Sequence, residues 1–251
     1  RLCGLARETG LWLIPGSLFE SVAGPDGTVV YNTTPVINPQ GEVVTRFRKL
    51  FPFRPYERDV AGGTGFCVFD VPGAGRFGVS ICYDMWFPET TRTLVAMGAE
   101  VILHPTMTDT IDRDVELCIA RASAVTNQVY FFDVNGVGDG GVGRSIIVDP
   151  SGYVLHQADS GAQIMPIEVD FARLRHEREL MRLAARLPTA ALKSGKTQAQ
   201  GLSGLLDLTT TGDRMAIKLS AAADAFTTPA ARGQGAALTL TGDLPYPDLK
   251  T

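Results

Sequence analysis

The chain has 251 residues, 45% hydrophobic and 20% charged, with a formal net charge of −4. That size and balance suit one large globular domain or two small ones. No apolar run reaches the ~18 residues of a membrane span, and no basic stripe is present to meet a phosphate backbone. Cys3, Cys67, Cys82 and Cys118 are spaced too widely for a metal knuckle, and four thiols are too few for a disulfide scaffold. Membrane and nucleic-acid partners are therefore not expected. The sparse cysteine usage makes a reducing, cytoplasmic setting the expectation.

The first residues, LCGLARETG, read as the end of a helix, with Leu2, Leu5 and Ala6 on one face and Gly10 as its cap. LWLIPGS (11–17) is predicted as a buried strand. TVVYNTTPVIN (28–38) and EVVTRFRK (42–49) flank Pro39-Gln40-Gly41 and predict a hairpin. FCVFDV (66–71) and RFGVSIC (76–82) meet at PGAG in a second one. A helix starts near Pro88, and EVILHPT (100–106) is a buried strand. A longer helix covers about 112–127, with Val115, Ile119, Ala122 and Val125 at helical spacing and Asp112 and Asp114 in its first turn. VYFFDVNGVG, GRSIIVDPSG and YVLHQAD continue the strands, IMPIEVD (164–170) is a last one, and 171–186 forms an Arg-rich amphipathic helix. Strands interleaved with helices and hairpins predict an α/β sandwich with mixed sheets. After Leu187 the composition shifts to Ala, Gly, Thr, Ser, Leu and Asp, without a strong period. Residues 1–187 are expected to form the main domain and 188–251 a peripheral, partly disordered extension.

One stretch concentrates the chemistry. RFGVSIC delivers Cys82 at a strand end, and a helix opens a few residues later with Pro88 at its first position and Glu89 beside it. Backbone N–H groups at such a junction stabilise a thiolate, and that of Tyr83 suits an oxyanion. The competing reading, Cys82 as a small buried hydrophobe, stays open at this level. Of three histidines, only His104 at a strand end suits a Cys–His pair, and a satisfied strand-end imidazole is the simpler reading; a carboxylate base suits the thiol better. Through residue 192 the chain carries 16 Arg and a single Lys, Lys49. A compact ammonium approaches an oxyanion in a way a guanidinium does not. The Pro- and aromatic-rich loop after it ends in Glu57, suited to face an ammonium or a substrate amide, with an ordinary surface-loop glutamate an equally open reading at this level. The glycines from Gly136 to Gly143 lead into a strand rather than a helix, which argues against a phosphate loop.

Taken together, Lys49 in RKLFPF, Cys82 in GVSICYDMWFPE, HPT after the next strand, INPQGEVV and the late DPSG turn resemble the nitrilase (carbon–nitrogen hydrolase) superfamily, in order over about residues 5–185. The resemblance implies an α-β-β-α sandwich that forms homodimers or higher homo-oligomers, and a Glu-Lys-Cys site acting on a nitrile or amide carbon without metal or organic cofactor. It assigns Cys82 as nucleophile, Lys49 as the ammonium for the tetrahedral intermediate and Glu57 as the glutamate beside the substrate amide. The family's general-base glutamate lies upstream of Arg1, so the fold is expected without its N-terminal strand–helix unit. CYD followed by FPE resembles the amidase-type branches, with Tyr83, Trp86, Tyr56, Thr106 and Asn135 expected around the substrate. Trp86 stands where ω-amidase-like members carry Arg, which points to a neutral or aliphatic amide. The expected activity is hydrolysis of a small carboxamide to acid and ammonia. The alternatives are a ureido or nitrile substrate at the same site, or an inactive member acting only as a binding module.

Overall fold

The computed structural model describes residues 1–25, 27–184, 189–194, 197–211, 214–227 and 232–245, with side chains through residue 178. Two compact units divide it, Arg1–Leu174 and Arg175–Thr251. The expected domain boundary at 187/188 lies outside the described residues.

In the first unit, helix α1 (Leu2–Thr9) ends at Gly10, whose φ of 67° is the left-handed cap expected. One sheet follows. Strand β1 (Leu18–Gly24) pairs antiparallel with β2 (Gly27–Ile37), β2 with β3 (Val43–Arg48), and the two-residue β4 (Val60–Ala61) lies parallel to β2. The β2–β3 turn is built by Asn38, whose Oδ1 accepts the N–H groups of Gln40 and Glu42. Gly41 completes it at φ 77°, where a Cβ would run into the Cys3 carbonyl of α1.

The second sheet has six strands. β5 (Cys67–Val71) and β6 (Gly75–Val79) form the PGAG hairpin; β6, β7 (Val101–Thr106) and β8 (Tyr130–Asn135) run parallel. Helices α2 (Pro88–Ala96) and α3 (Asp112–Asn127) make the crossovers that parallel pairing requires. A short hairpin, β9 (Val137–Gly138) with β10 (Gly141–Val142), precedes β11 (Ile146–Val148) and β12 (Val154–Gln157), which close the order β12-β11-β8-β7-β6-β5. Val36 and Phe47 of the first sheet pack against Phe69, Val79 and Ile81 of the second. The outer face of the second sheet, with Ile102, Phe131 and Val148, packs on Leu94 of α2 and Leu117 and Ala120 of α3. This is the layered α/β sandwich expected. Helix α4 (Phe171–Ala184) begins in the first unit. The second unit contains an antiparallel meander of β13 (Thr189–Ser194), β14 (Thr197–Thr211), β15 (Arg214–Thr227) and β16 (Arg232–Pro245).

Three sequence expectations need correction. LWLIPGS is not a strand: it makes a single bridge, Leu13 to Ile37, because Pro15 brings no donor and Gly16 turns the chain at φ 91°. IMPIEVD pairs with no strand, and Ile164 is almost fully exposed. In α3 the apolar positions Val115 and Val125 face solvent, while Arg113, Glu116 and Ser123 are buried. Apolar spacing missed that face because its charged members are neutralised internally, as described next.

Candidate active site

Lys49 follows the last residue of β3. Its N–H donates to the Asn32 carbonyl of β2 (2.8 Å), and its own carbonyl accepts the Gly63 N–H (2.8 Å). The backbone is thus pinned on both sides, and the side chain is only 2% exposed. Glu57 comes back to it across the Phe51–Arg58 loop. Lys49 Nζ donates to Glu57 Oε2 at 2.7 Å, the Phe53 N–H donates to the same oxygen, and Asn32 Nδ2 donates to Oε1 at 2.7 Å. Burial alone pushes the Glu57 carboxyl up. The hydrogen bonds from Lys49, Asn32 and the Phe53 N–H outweigh it and hold the group below its ordinary range, so it is ionised at neutral pH. Both partners being buried, the pair loses little to solvent screening.

Cys82 sits beyond the end of β6 in the other sheet, where the chain stops pairing and enters a 3-10 turn, Cys82–Trp86. Its φ of 48° puts a non-glycine residue in the left-handed region, a conformation that persists only where surroundings enforce it. The sharp turn delivers the thiol to the surface of two cavities. One, of about 1120 Å³, is shared with Lys49, Glu57, Thr106, Asn135 and His104. The other, of about 250 Å³, is walled by Phe53, Tyr56, Tyr83 and Trp86. Those four rings form a continuous series: Phe53 stands 5.6 Å from Tyr56 and 5.1 Å from Tyr83, and Tyr83 stands 6.1 Å from Trp86. Because Cys82 opens the turn, the N–H of Tyr83 has no acceptor within it. Pro88 then starts α2 at the first helical position, as its missing N–H favours.

The fold brings Cys82, Lys49, Glu57, Tyr83, Trp86, Tyr56, Thr106 and Asn135 to these two connected spaces. They are not equivalent. Tyr56 is 79% exposed at the rim. The Asn135 amide is committed to backbone: Oδ1 accepts the Thr108 N–H (2.8 Å), and Nδ2 donates to the carbonyls of Thr108 (3.0 Å) and Gly143 (2.8 Å). It shapes the wall. His104 is buried with Nδ1 2.7 Å from Ser80 Oγ. Burial, then the charges of Arg113 and Lys49, push its imidazole down to about 3, against the opposite influence of the Cys82 backbone. A group so hard to protonate is a poor general base for a thiol.

Two features escaped the sequence reading. Asn32 is a polar residue inside an otherwise strand-like run, the one signal that could have flagged it. Behind the small cavity, Arg113 Nη1 meets Asp133 Oδ2 at 2.8 Å and Glu116 Oε2 at 3.1 Å, and Nη2 donates to the Arg144 carbonyl. Glu116 Oε1 accepts the Thr108 hydroxyl at 3.0 Å, tying this buried cluster to the cavity wall. Burial pushes the Asp133 carboxyl up to about 7, against the pull of Arg113. Among the described residues, no group of three or more His, Cys, Asp or Glu side chains is arranged to hold a metal ion, and no helix is long and apolar enough to cross a membrane.

A two-sheet α/β frame thus brings a thiol on a strained turn and a buried lysine–glutamate pair to one cavity. The carbon–nitrogen hydrolase family model matches residues 1–179, and the chain belongs to that family. It is 33% identical over 192 residues to a nitrilase from Pyrococcus abyssi, covering 70% of this chain and 66% of that one. It is 34% identical over 160 residues to a formamidase from Bacillus cereus, covering 60% of this chain and 48% of that one. The chain thus spans 48% to 66% of the length of these relatives. The structure is similar to Saccharomyces cerevisiae Nit3 of the nitrilase superfamily, with a TM-score of 0.64 at 29% identity, covering 75% of this chain and 69% of that one. It is also similar to a variant of the amidase from Nesterenkonia sp. AN1 that carries the acetamide moiety of fluoroacetamide on its active-site cysteine. That match has a TM-score of 0.54 at 28% identity and covers 64% of this chain and 61% of that one.

Proposed function

We propose that the domain formed by residues 1–187 hydrolyses a small carboxamide to the acid and ammonia, with Cys82 as the nucleophile. The observation that carries this reading is the strained Cys82 turn opening onto the same cavity as the buried Lys49–Glu57 pair. The Cys82 thiol loses its proton to a carboxylate, and Sγ bonds to the amide carbon. The oxyanion that forms is met by Lys49, which has two N–H groups left after its bond to Glu57, and by the Tyr83 N–H. The C–N bond breaks as the proton passes to nitrogen, giving ammonia and a thioester. Water, activated by the same carboxylate, then attacks the thioester and regenerates the thiol. Glu57, held ionised by three donors and with acceptor capacity left on Oε1, orients Lys49 and faces the substrate amide; it does not shuttle the proton. That task falls to the glutamate which the family carries ahead of the helix equivalent to α1. The four-ring wall of the small cavity favours a neutral or aliphatic acyl group, in line with the formamidase and amidase among the relatives.

Ammonia release from a panel of short aliphatic amides, N-carbamoyl compounds and nitriles tests the reading. The assay uses this chain, its Cys82→Ala variant and an N-terminally extended chain. Release from amides that vanishes with Cys82→Ala is the expected result. Turnover that survives Cys82→Ala, or silence from every folded protein, overturns it. Preference for the ureido or nitrile compounds keeps the thiol chemistry and replaces the leaving group. We take the active species to be a homo-oligomer in a reducing compartment, which sedimentation of the purified protein checks for the first part.

A further inference from the structure

We propose that Asp84 is a positioning residue that sets the placement of the Cys82 thiol relative to Lys49. The inference rests on the amidohydrolase reading above. The Asp84 side chain is fully buried, and its two oxygens reach in different directions. Oδ2 accepts the N–H of Ile81, the residue before Cys82, at 3.0 Å. Oδ1 accepts the N–H of Phe51, two residues beyond Lys49, at 2.9 Å. The Asp84 N–H meanwhile donates to the Ile81 carbonyl at 3.0 Å. Cys82 is therefore enclosed by a reciprocal pair of bonds between Ile81 and Asp84, which is what holds it in the left-handed region. The same carboxylate carries that turn across to the segment leaving β3.

The chemistry of the side chain fits this task and not simple filling. Two backbone donors arriving from separate segments need two acceptor oxygens, which a carboxylate has and an asparagine amide has not. The carboxylate is kept at a cost. Burial drives its carboxyl up to about 7, although the N–H groups of Ile81, Phe51 and Leu50 and the charge of Lys49 all oppose the rise. Residues retained against their own solvation are expected where geometry matters to the reaction. Asp84 touches no reacting atom; it acts through the two residues that do.

The test compares wild type with Asp84→Asn, which keeps the shape and removes one acceptor, and with Asp84→Glu, which keeps the charge on a longer stem. The first readout is steady-state amide hydrolysis. The expected result is a fall in kcat of about tenfold or more with KM within about twofold, as for a sub-ångström misplacement of reacting groups. The second readout needs no turnover: the rate of Cys82 alkylation by iodoacetamide relative to that of Cys118, an exposed thiol in the same chain. The ratio is expected to change by about threefold or more in a protein with unaltered circular dichroism. If the wild type hydrolyses no amide, the alkylation ratio still decides the positioning role, so the two readings fail separately. An unchanged ratio with unchanged kcat overturns the proposal. Loss of the fold in both variants overturns it as well, in favour of a purely structural carboxylate.

Discussion

Glu57→Gln isolates the charge of the buried pair, because the surrounding hydrogen bonds can be rebuilt. The carboxylate receives Lys49 and the Phe53 N–H on Oε2 and Asn32 Nδ2 on Oε1. The introduced amide keeps one oxygen for Lys49 and Phe53 and turns its NH₂ toward Asn32. Asn32 Oδ1 has no partner in the wild type, so a flip of the Asn32 amide accepts that NH₂. What is lost is the ion pair. Two unit charges 2.7 Å apart attract by about 6 kcal/mol at an effective dielectric near 20. Removing one partner of such a buried pair costs about 3–5 kcal/mol, as the remaining charge stays desolvated. For a unit of this size that lowers the melting temperature by roughly 10 °C. The assay is urea unfolding of wild type, Glu57→Gln, Lys49→Met and the double variant. The double is expected to be less destabilised than the sum of the singles by about 2–3 kcal/mol. The sign of the pH dependence also follows. The Glu57 carboxyl is held below its ordinary value of 4.5 when folded, so its contribution is complete above that value and is lost as pH falls through the folded value. Wild type and Glu57→Gln should therefore converge in acid. Additive single effects, or a gap between the two that persists below the folded value, would refute the coupling.

Lys49→Arg keeps the charge but replaces a compact ammonium with a planar guanidinium of different reach and donor geometry, and kcat should fall by about a thousandfold, read by ammonia release. His104→Gln should leave amide turnover within about tenfold of wild type, and the acid limb of the pH–rate profile should show no inflection at the ordinary imidazole value, since His104 is held near 3. Gly63→Ala places a Cβ into the Arg48 carbonyl, displacing the segment that carries Lys49; about 1–3 kcal/mol of stability should be lost, with a disproportionate drop in kcat. Arg113→Met leaves Glu116 and Asp133 buried without a cation, and its urea midpoint should fall further than that of Asp133→Asn, by at least about 3 kcal/mol in free energy.

Features whose causes are local could be read from the chain. The β2–β3 hairpin is announced by Asn38-Pro39-Gln40-Gly41, and the strand–turn–helix around Cys82 by an apolar run followed by Pro88. Lys49 stood out because the rest of the domain uses Arg. Features whose causes are distant could not. Asp84 was in plain view in ICYD, but its partner Phe51 lies 33 residues away. Asn32 reaches Glu57 across 25 residues. The buried face of α3 was misjudged because hydrophobicity ranks Arg113 and Glu116 as solvent-facing, whereas Asp133, from a later strand, makes their burial tolerable. LWLIPGS has the composition of a strand, and composition says nothing about whether a neighbour offers it an edge. In the second unit, the alternation of Met215, Ile217 and Leu219 with Ala216, Lys218 and Ser220 was a period-two signal for β15 that the overall composition hid.

Lys49 leaves the end of a strand in one sheet and Cys82 follows a strand of the other, and what separates those sheets is the packing of Val36 and Phe47 on Phe69, Val79 and Ile81. The spacing of the reactive groups is thus in part an internal dimension of the protein, set by side-chain thickness beneath the turn that Asp84 holds. Interiors packed at crystal-like density resist compression, so the site inherits a stiff gauge from the core. A smaller side chain at Phe47 or Val79, neither of which lines the cavity, alters that gauge from within the core, and the reaction then serves as a strain sensor. Turnover should decline under hydrostatic pressure, or in such core variants, well before circular dichroism records any loss of structure.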